Sequence, residues 1–188
     1  GSPMPIGVSF NVIVSQNQGN GAYVLTATSA NTSGYIMYIN EPDLNDNPAA
    51  SFQVTQNGGM SGIIGGGNYN NHAIGVWYDS SVGEWTIYNE DRSPIPYGTS
   101  FNVQHSSYIT QVATASNTSG DSTCLQLGIS LNSTLLVTHE YSGYLTANHG
   151  YFTDVAAVWY NEALQEWCIF DGSYNAMPIG ETFFVTPW

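Results

Sequence analysis

The chain has 188 residues, no lysine, one arginine (Arg92) and fourteen acids, for a formal charge of −13. One cation cannot neutralise phosphates, so nucleic acid and anionic membrane surfaces are poor partners, and no run approaches the ~20 apolar residues of a membrane span. Charged residues are only 8% and aromatic ones 13%; this excludes disorder and leaves a surface of Asn, Ser, Thr, Gln, Tyr and Gly.

The expected elements are all strands, because β-branched and aromatic runs alternate with clusters of Gly, Pro, Asn and Asp. The first runs over 5–14, within the phrase Met4-Pro5-Ile6-Gly7-x-x-Phe10-Asn11-Val12 that opens one residue earlier. Tyr35–Ile39, Ser51–Thr55, Ile74–Tyr78 and Trp85–Tyr88 follow, with turns at Asn31-Thr32-Ser33-Gly34 and Asp79–Gly83. The opening phrase then returns as Ile95-Pro96-Tyr97-Gly98-x-x-Phe101-Asn102-Val103 and again as Met177-Pro178-Ile179-Gly180-x-x-Phe183-Phe184-Val185. No segment sustains an apolar period of 3.6 residues, and Asn161–Gln165 is at most one helical turn.

The second half restates the first. VWYDSSVGEWTIY at 76–88 becomes VWYNEALQEWCIF at 158–170, so Trp77 matches Trp159 and Trp85 matches Trp167, 82 positions on (159−77, 167−85). Ala27–Gly34 is echoed by Ala113–Gly120. The expectation is an all-β chain of two tandem antiparallel sandwich-like or barrel-like units, each about 75–90 residues and pseudo-twofold related. Their bounds fall at 4–104, including the strand at 5–14, and at 105–188. The third copy of the closing phrase makes the terminal strands structural and offers an unpaired edge for association with copies of the same chain.

Residues shared by both halves are explained most simply by the fold, which places the tryptophan hairpins in the core; a stacking platform for sugar rings is the alternative. Cys124 and Cys168 fall where the first half has Tyr38 and Thr86. A disulfide joining two strands, or two buried thiols, would each account for them.

The halves differ in their loops, and binding is expected there. Glu41–Pro48 gathers Asp43, Asn45 and Asp46, whose oxygens suit Ca²⁺, although the spacing is not that of an EF-hand; an acidic solvated turn is the alternative. No other cofactor is expected. Gln56–Asn71 is glycine-rich but lacks the lysine of a phosphate loop. It displays Asn68, Tyr69, Asn70, Asn71 and, next to it, His72, a polar recognition surface; His149 lies in the corresponding stretch of the second half, where Asp154 replaces His72. Asn31, Asn117 and Asn132 open N-x-[ST] triplets. No G-x-S-x-G is present, and His139-Glu140 lacks the second histidine of a zinc helix, so catalysis, with a hydrolase as its form, ranks last.

The phrases Tyr69–Tyr78, Trp85–Arg92 and Ile95–Val103 resemble an uncharacterised extracellular bacterial β-repeat family with the pattern N-x-H-x-I-G-V-W-Y, W-x-I-F-N-x-D, M-P-x-G-x-x-F-N-V. The resemblance covers most of both halves. It implies a tandem extracellular β-domain and brings no catalytic residues. The expected function is therefore a non-catalytic secreted or cell-surface module, a lectin-like binder of a glycan or other surface polymer; the alternative is a structural repeat that self-associates through its terminal strands.

Overall fold

A computed structural model describes residues 4, 6–7, 9–12, 21–58, 68–105, 109–141 and 151–188. Among these the chain is all-β, without a helix, in several sheets and no closed barrel. Its strands are β1 (Ala22–Thr26), β2 (Thr32–Ser33), β3 (Ile36–Ile39), β4 (Phe52–Asn57), β5 (Ile74–Asp79), β6 (Glu84–Asn89) and β7 (Ser100–His105), then β8 (Ile109–Val112), β9 (Thr118–Ser119), β10 (Ser122–Cys124), β11 (Leu135–Glu140), β12 (Ala156–Asn161), β13 (Glu166–Asp171) and β14 (Thr182–Pro187).

In the first half a three-stranded sheet, β1-β7-β4, packs on a row β2-β3-β6-β5. In the second half the order β8-β14-β11 faces β9-β10-β13-β12. The turns that enter these rows are built alike. Asn31 Oδ1 accepts the Thr28 amide at 2.7 Å and Asn117 Oδ1 accepts the Thr114 amide at 2.7 Å. Gly34 and Gly120 follow at φ 60°, where a side chain is strained. Asn31 Nδ2 and Asn117 Nδ2 also donate to Thr26 O and Val112 O, so two of the three acceptor-pattern asparagines already use their amide nitrogen.

The halves are joined by one parallel pairing, β5 with β11, in the register His139↔Gly75 and Glu140↔Val76. This fuses two rows into a seven-stranded sheet, β2-β3-β6-β5-β11-β14-β8. The joining strands hold different places in their own halves: β5 corresponds to β12, and β11 to β4. A twofold axis would pair each contact with its mirror, β12 against β4, and no such ladder forms among the described residues. The expected pseudo-twofold is therefore replaced by a head-to-tail relation.

The first core centres on Trp85, 2% exposed, with ring centroids of Phe52 at 5.2 Å, Tyr78 at 5.4 Å and Phe184 at 5.7 Å. Phe184 comes from β14. Because successive side chains alternate across a strand, Phe183 and Val185 enter the second core while Phe184 crosses into the first. The C-terminal strand is thus paired on both sides, with β11 and β8. It offers no free edge, contrary to the sequence expectation. At the other end, residues 9–12 form no ladder; Asn11 Nδ2 donates to Leu135 O at 2.9 Å.

Cys124 and Cys168 are bridged, opposite each other on β10 and β13. The bridge closes a separation of 44 residues. Restricting the unfolded chain over such a loop stabilises by about 2–4 kcal/mol. Reduction, or Cys124→Ala with Cys168→Ala, is expected to lower the unfolding free energy by that amount, read as a lower urea midpoint; an unchanged midpoint would show that the bridge constrains nothing.

Candidate functional site

Trp85 and Trp167 point inward, opposite Tyr78 and Tyr160, whereas Trp77 and Trp159 lie on the other face, opposite Thr86 and Cys168. The core reading holds for the first pair alone. On the outer face the two halves then diverge. Trp77 helps line a cavity of about 110 Å³ with Tyr35, Ile36, Tyr88, Tyr141 and Tyr151, so residues of the second half cover it. Arg92, the chain's single Lys or Arg, sits 4.1 Å above the Tyr151 ring, and the Tyr35 and Tyr151 hydroxyls lie 3.3 Å apart.

Trp159 is uncovered, 41% exposed. It stands in a groove of about 430 Å³ whose walls include Asn117, Asp121, Gln126, Asn161 and Glu166, beside Cys124 of the disulfide. The indole nitrogen donates to Ser122 Oγ at 3.3 Å, which fixes the ring. Glu166 accepts the Gln126 amide, and Asn161 Oδ1 accepts the Ala163 and Leu164 amides at 3.1 Å, so the polar rim is held by its own turns. With Asp121 and Glu166 in its walls and no basic side chain, the groove repels anions and offers hydroxyl groups an apolar ring edged by oxygens and amides.

Behind the tyrosine cavity lies a buried ionic cluster. His139 Nδ1–H donates to Glu90 Oε1 at 2.6 Å and Nε2–H donates to Glu181 Oε2 at 2.7 Å; all three side chains are at most 3% exposed. Glu90 Oε2 also accepts the Phe152 amide at 3.0 Å. Burial alone would push the imidazole toward neutrality, but the carboxylates of Glu181 and Glu90 outweigh it and raise its pKa to about 9. Burial, with Glu90 beside it, pushes the Tyr88 hydroxyl far upward, so it stays protonated. Gly75 is required here, since a Cβ would collide with Glu90 Oε1 and the Tyr88 hydroxyl. Sealed from substrate and locked to each other, these groups hold the halves together.

The predicted recognition loop is divided by the structure. Tyr69 and Asn71 are exposed, and His72 is partly so, its Nδ1 2.7 Å from Asp91 Oδ2. Asn68 donates to Tyr97 O. Asn70 is only 1% exposed and exchanges hydrogen bonds with Asn89 at 2.7 and 3.1 Å, so it is a structural residue out of a ligand's reach. His149 lies outside the described residues. The candidate calcium residues also part company. Asp43 Oδ2 accepts the Tyr23 hydroxyl at 2.7 Å, Asn45 Nδ2 donates to Asn40 Oδ1 at 2.8 Å, and the Asp46 amide, at φ 55°, donates to Gly83 O. Among the described residues no three His, Cys, Asp or Glu side chains converge as ligands would. The contact with Asp43 raises the Tyr23 hydroxyl to about 12.

Sequence pattern alone does not distinguish Trp159 from Trp77. The available signal was the change around it: Asp121 replaces Tyr35 and Ser122 replaces Ile36, a loss of apolar cover in the second half.

The model of a domain of unknown function, DUF7452, matches residues 1–105, and the chain belongs to that family. The match ends at the last residue of β7. No curated protein and no solved structure matches the chain.

Proposed function

We propose that this protein is a non-catalytic extracellular binding module and that it recognises a neutral glycan on the outer face of its second half. The observation that carries the reading is Trp159, an indole held flat and exposed in a polar, acid-walled groove. Flat apolar ring faces stack on the C–H faces of sugars, while fixed amides and carboxylates accept and donate to their hydroxyls. The lack of cations directs the choice to uncharged polymers rather than sulfated or uronic ones. Glu90, Glu181 and His139 give no support to hydrolysis, because all are buried and mutually engaged.

A panel of neutral and acidic polysaccharides, read by quenching of tryptophan fluorescence, tests this. Binding is expected to neutral members only. Trp159→Ala should weaken it at least about tenfold, equivalent to roughly 1.4 kcal/mol, and Asn70→Ala should change stability and leave affinity alone. Affinity indifferent to Trp159 would remove the groove from the account.

A further inference from the structure

The tyrosine cavity is assembled by both halves. Tyr35, Trp77 and Tyr88 come from the first, Tyr141 and Tyr151 from the second, and Ile36 completes the lining among the described residues. The ring planes set its walls. Tyr88 stands at 83° to both Tyr141 and Tyr151, with centroids 6.2 and 5.9 Å away, while Tyr141 and Tyr151 lie 5.7 Å apart and 32° out of parallel. Tyr88 is 3% exposed and forms the floor; the other four aromatic residues are partly exposed, so the cavity opens to solvent. Its volume of about 110 Å³ suits a group of about four or five heavy atoms.

The lining favours a cation that has no N–H groups. Aromatic faces carry the negative end of a quadrupole, and five rings converge here. Tyr88 also ties the cavity to the ionic cluster behind it: its hydroxyl lies 3.4 Å from His139 Nδ1 and hydrogen-bonds Glu90. Two carboxylates around one imidazolium leave that cluster one negative charge. No carboxylate lines the cavity itself. The Tyr88 hydroxyl is engaged by the cluster, and those of Tyr35 and Tyr151 lie 3.3 Å from each other. A primary ammonium would therefore exchange its water for few acceptors, whereas a methylated one has no N–H to satisfy. Arg92 displays the same chemistry next door, with its guanidinium 4.1 Å from the Tyr151 centroid. It stands outside the lining and is exposed, so its own charge is screened by water.

We propose that this cavity binds a quaternary ammonium group of the choline type, held by cation–π contact with Trp77 and the surrounding tyrosines. The second half has no such site, because Asp121, Ser122 and Phe170 stand in the places of Tyr35, Ile36 and Tyr88. The site exists only where the halves meet.

Calorimetric titration of the intact protein with choline should show saturable binding. It should be at least about tenfold tighter than binding of the neutral isostere that carries a tert-butyl group in place of trimethylammonium. It should also exceed binding of ethanolamine, which has the same chain and a primary ammonium. Equal affinity for the isostere would reduce the cavity to an apolar hole, and a preference for ethanolamine would mean ordinary ion pairing. Either result overturns the proposal, as does the absence of choline binding. Trp77→Leu and Tyr35→Leu keep an apolar side chain and remove a ring, and each should weaken choline by about tenfold. Unchanged affinity in both would overturn the proposal; if either fails to fold, the isostere comparison on the wild-type chain still decides. Sedimentation with phosphatidylcholine vesicles, reversed by free choline, would assign the group to a lipid headgroup; choline binding without it assigns the group to a soluble compound. Trp159→Ala should leave choline affinity unchanged, so this site and the glycan groove stand or fall separately.

Discussion

Replacing His139 with glutamine is expected to destabilise the protein by about 3–5 kcal/mol at pH 7, a fall of roughly 10 °C in Tm for a chain of this size. Glutamine carries no charge and cannot donate to two carboxylates on opposite sides, so Glu90 and Glu181 would be left buried with two uncompensated charges where wild type has one. The same cluster sets a pH dependence. The imidazole pKa is raised from an ordinary 6.5 to about 9 on folding. Below pH 6.5 both folded and unfolded chains are protonated there, and the contribution is complete. From 6.5 to about 9 the folded chain keeps a proton that the unfolded chain has lost, so stability declines across that window, by on the order of 3 kcal/mol, and levels off above it. Urea unfolding at pH 6, 7.5 and 9.5 measures this for wild type and His139→Gln. The slope should vanish in the variant; a wild type equally stable at all three values would mean that the imidazole is not charged.

The second large effect is expected at Phe184→Ala, again about 3–5 kcal/mol. Phe184 belongs to β14 yet fills the core around Phe52 and Trp85, at centroid distances of 6.1 and 5.7 Å. Its removal opens a cavity in the half to which it does not belong by sequence. Near-ultraviolet dichroism should report loosening around Trp85 as well as the lower unfolding free energy. The exposed Ile179 on the same closing phrase serves as control, since Ile179→Ala should change stability by less than about 0.5 kcal/mol. A Phe184→Ala variant as stable as that control would mean that the halves are energetically independent.

The strands were legible. Tyr35–Ile39, Ser51–Thr55, Ile74–Tyr78 and Trp85–Tyr88 are found within two residues at each end, as Ile36–Ile39, Phe52–Asn57, Ile74–Asp79 and Glu84–Asn89. Alternation in β-branched and aromatic runs is a local signal, and local signals survive folding. What escaped the sequence is what depends on neighbours. Glu90 and Glu181 are 49 and 42 residues from His139 and read singly as turn acids or strand ends. Trp77 and Trp159 share a phrase, yet one is roofed by Tyr141 and Tyr151 and the other is 41% exposed, because β5 gains β11 as a partner strand and β12, among the described residues, gains none. Asn70 reads as a loop amide and is a buried crosspiece, since its partner Asn89 closes a different strand. The site proposed above therefore lies on an outer sheet face rather than in the loops, and the closing strand β14 is paired on both sides.

The position of β14 also governs the order in which the molecule can fold. It follows every other strand in the chain, yet it lies between β11 and β8 and sends Phe184 into the first core, where Gln53 donates to Phe184 O across 131 residues. The first half cannot reach its final packing as it emerges from the ribosome; its core stays open at Trp85 until the closing strand arrives. Such distant closure makes folding slow and late. A polypeptide ending before Phe184 would retain the whole first half and still expose its largest buried side chain to water.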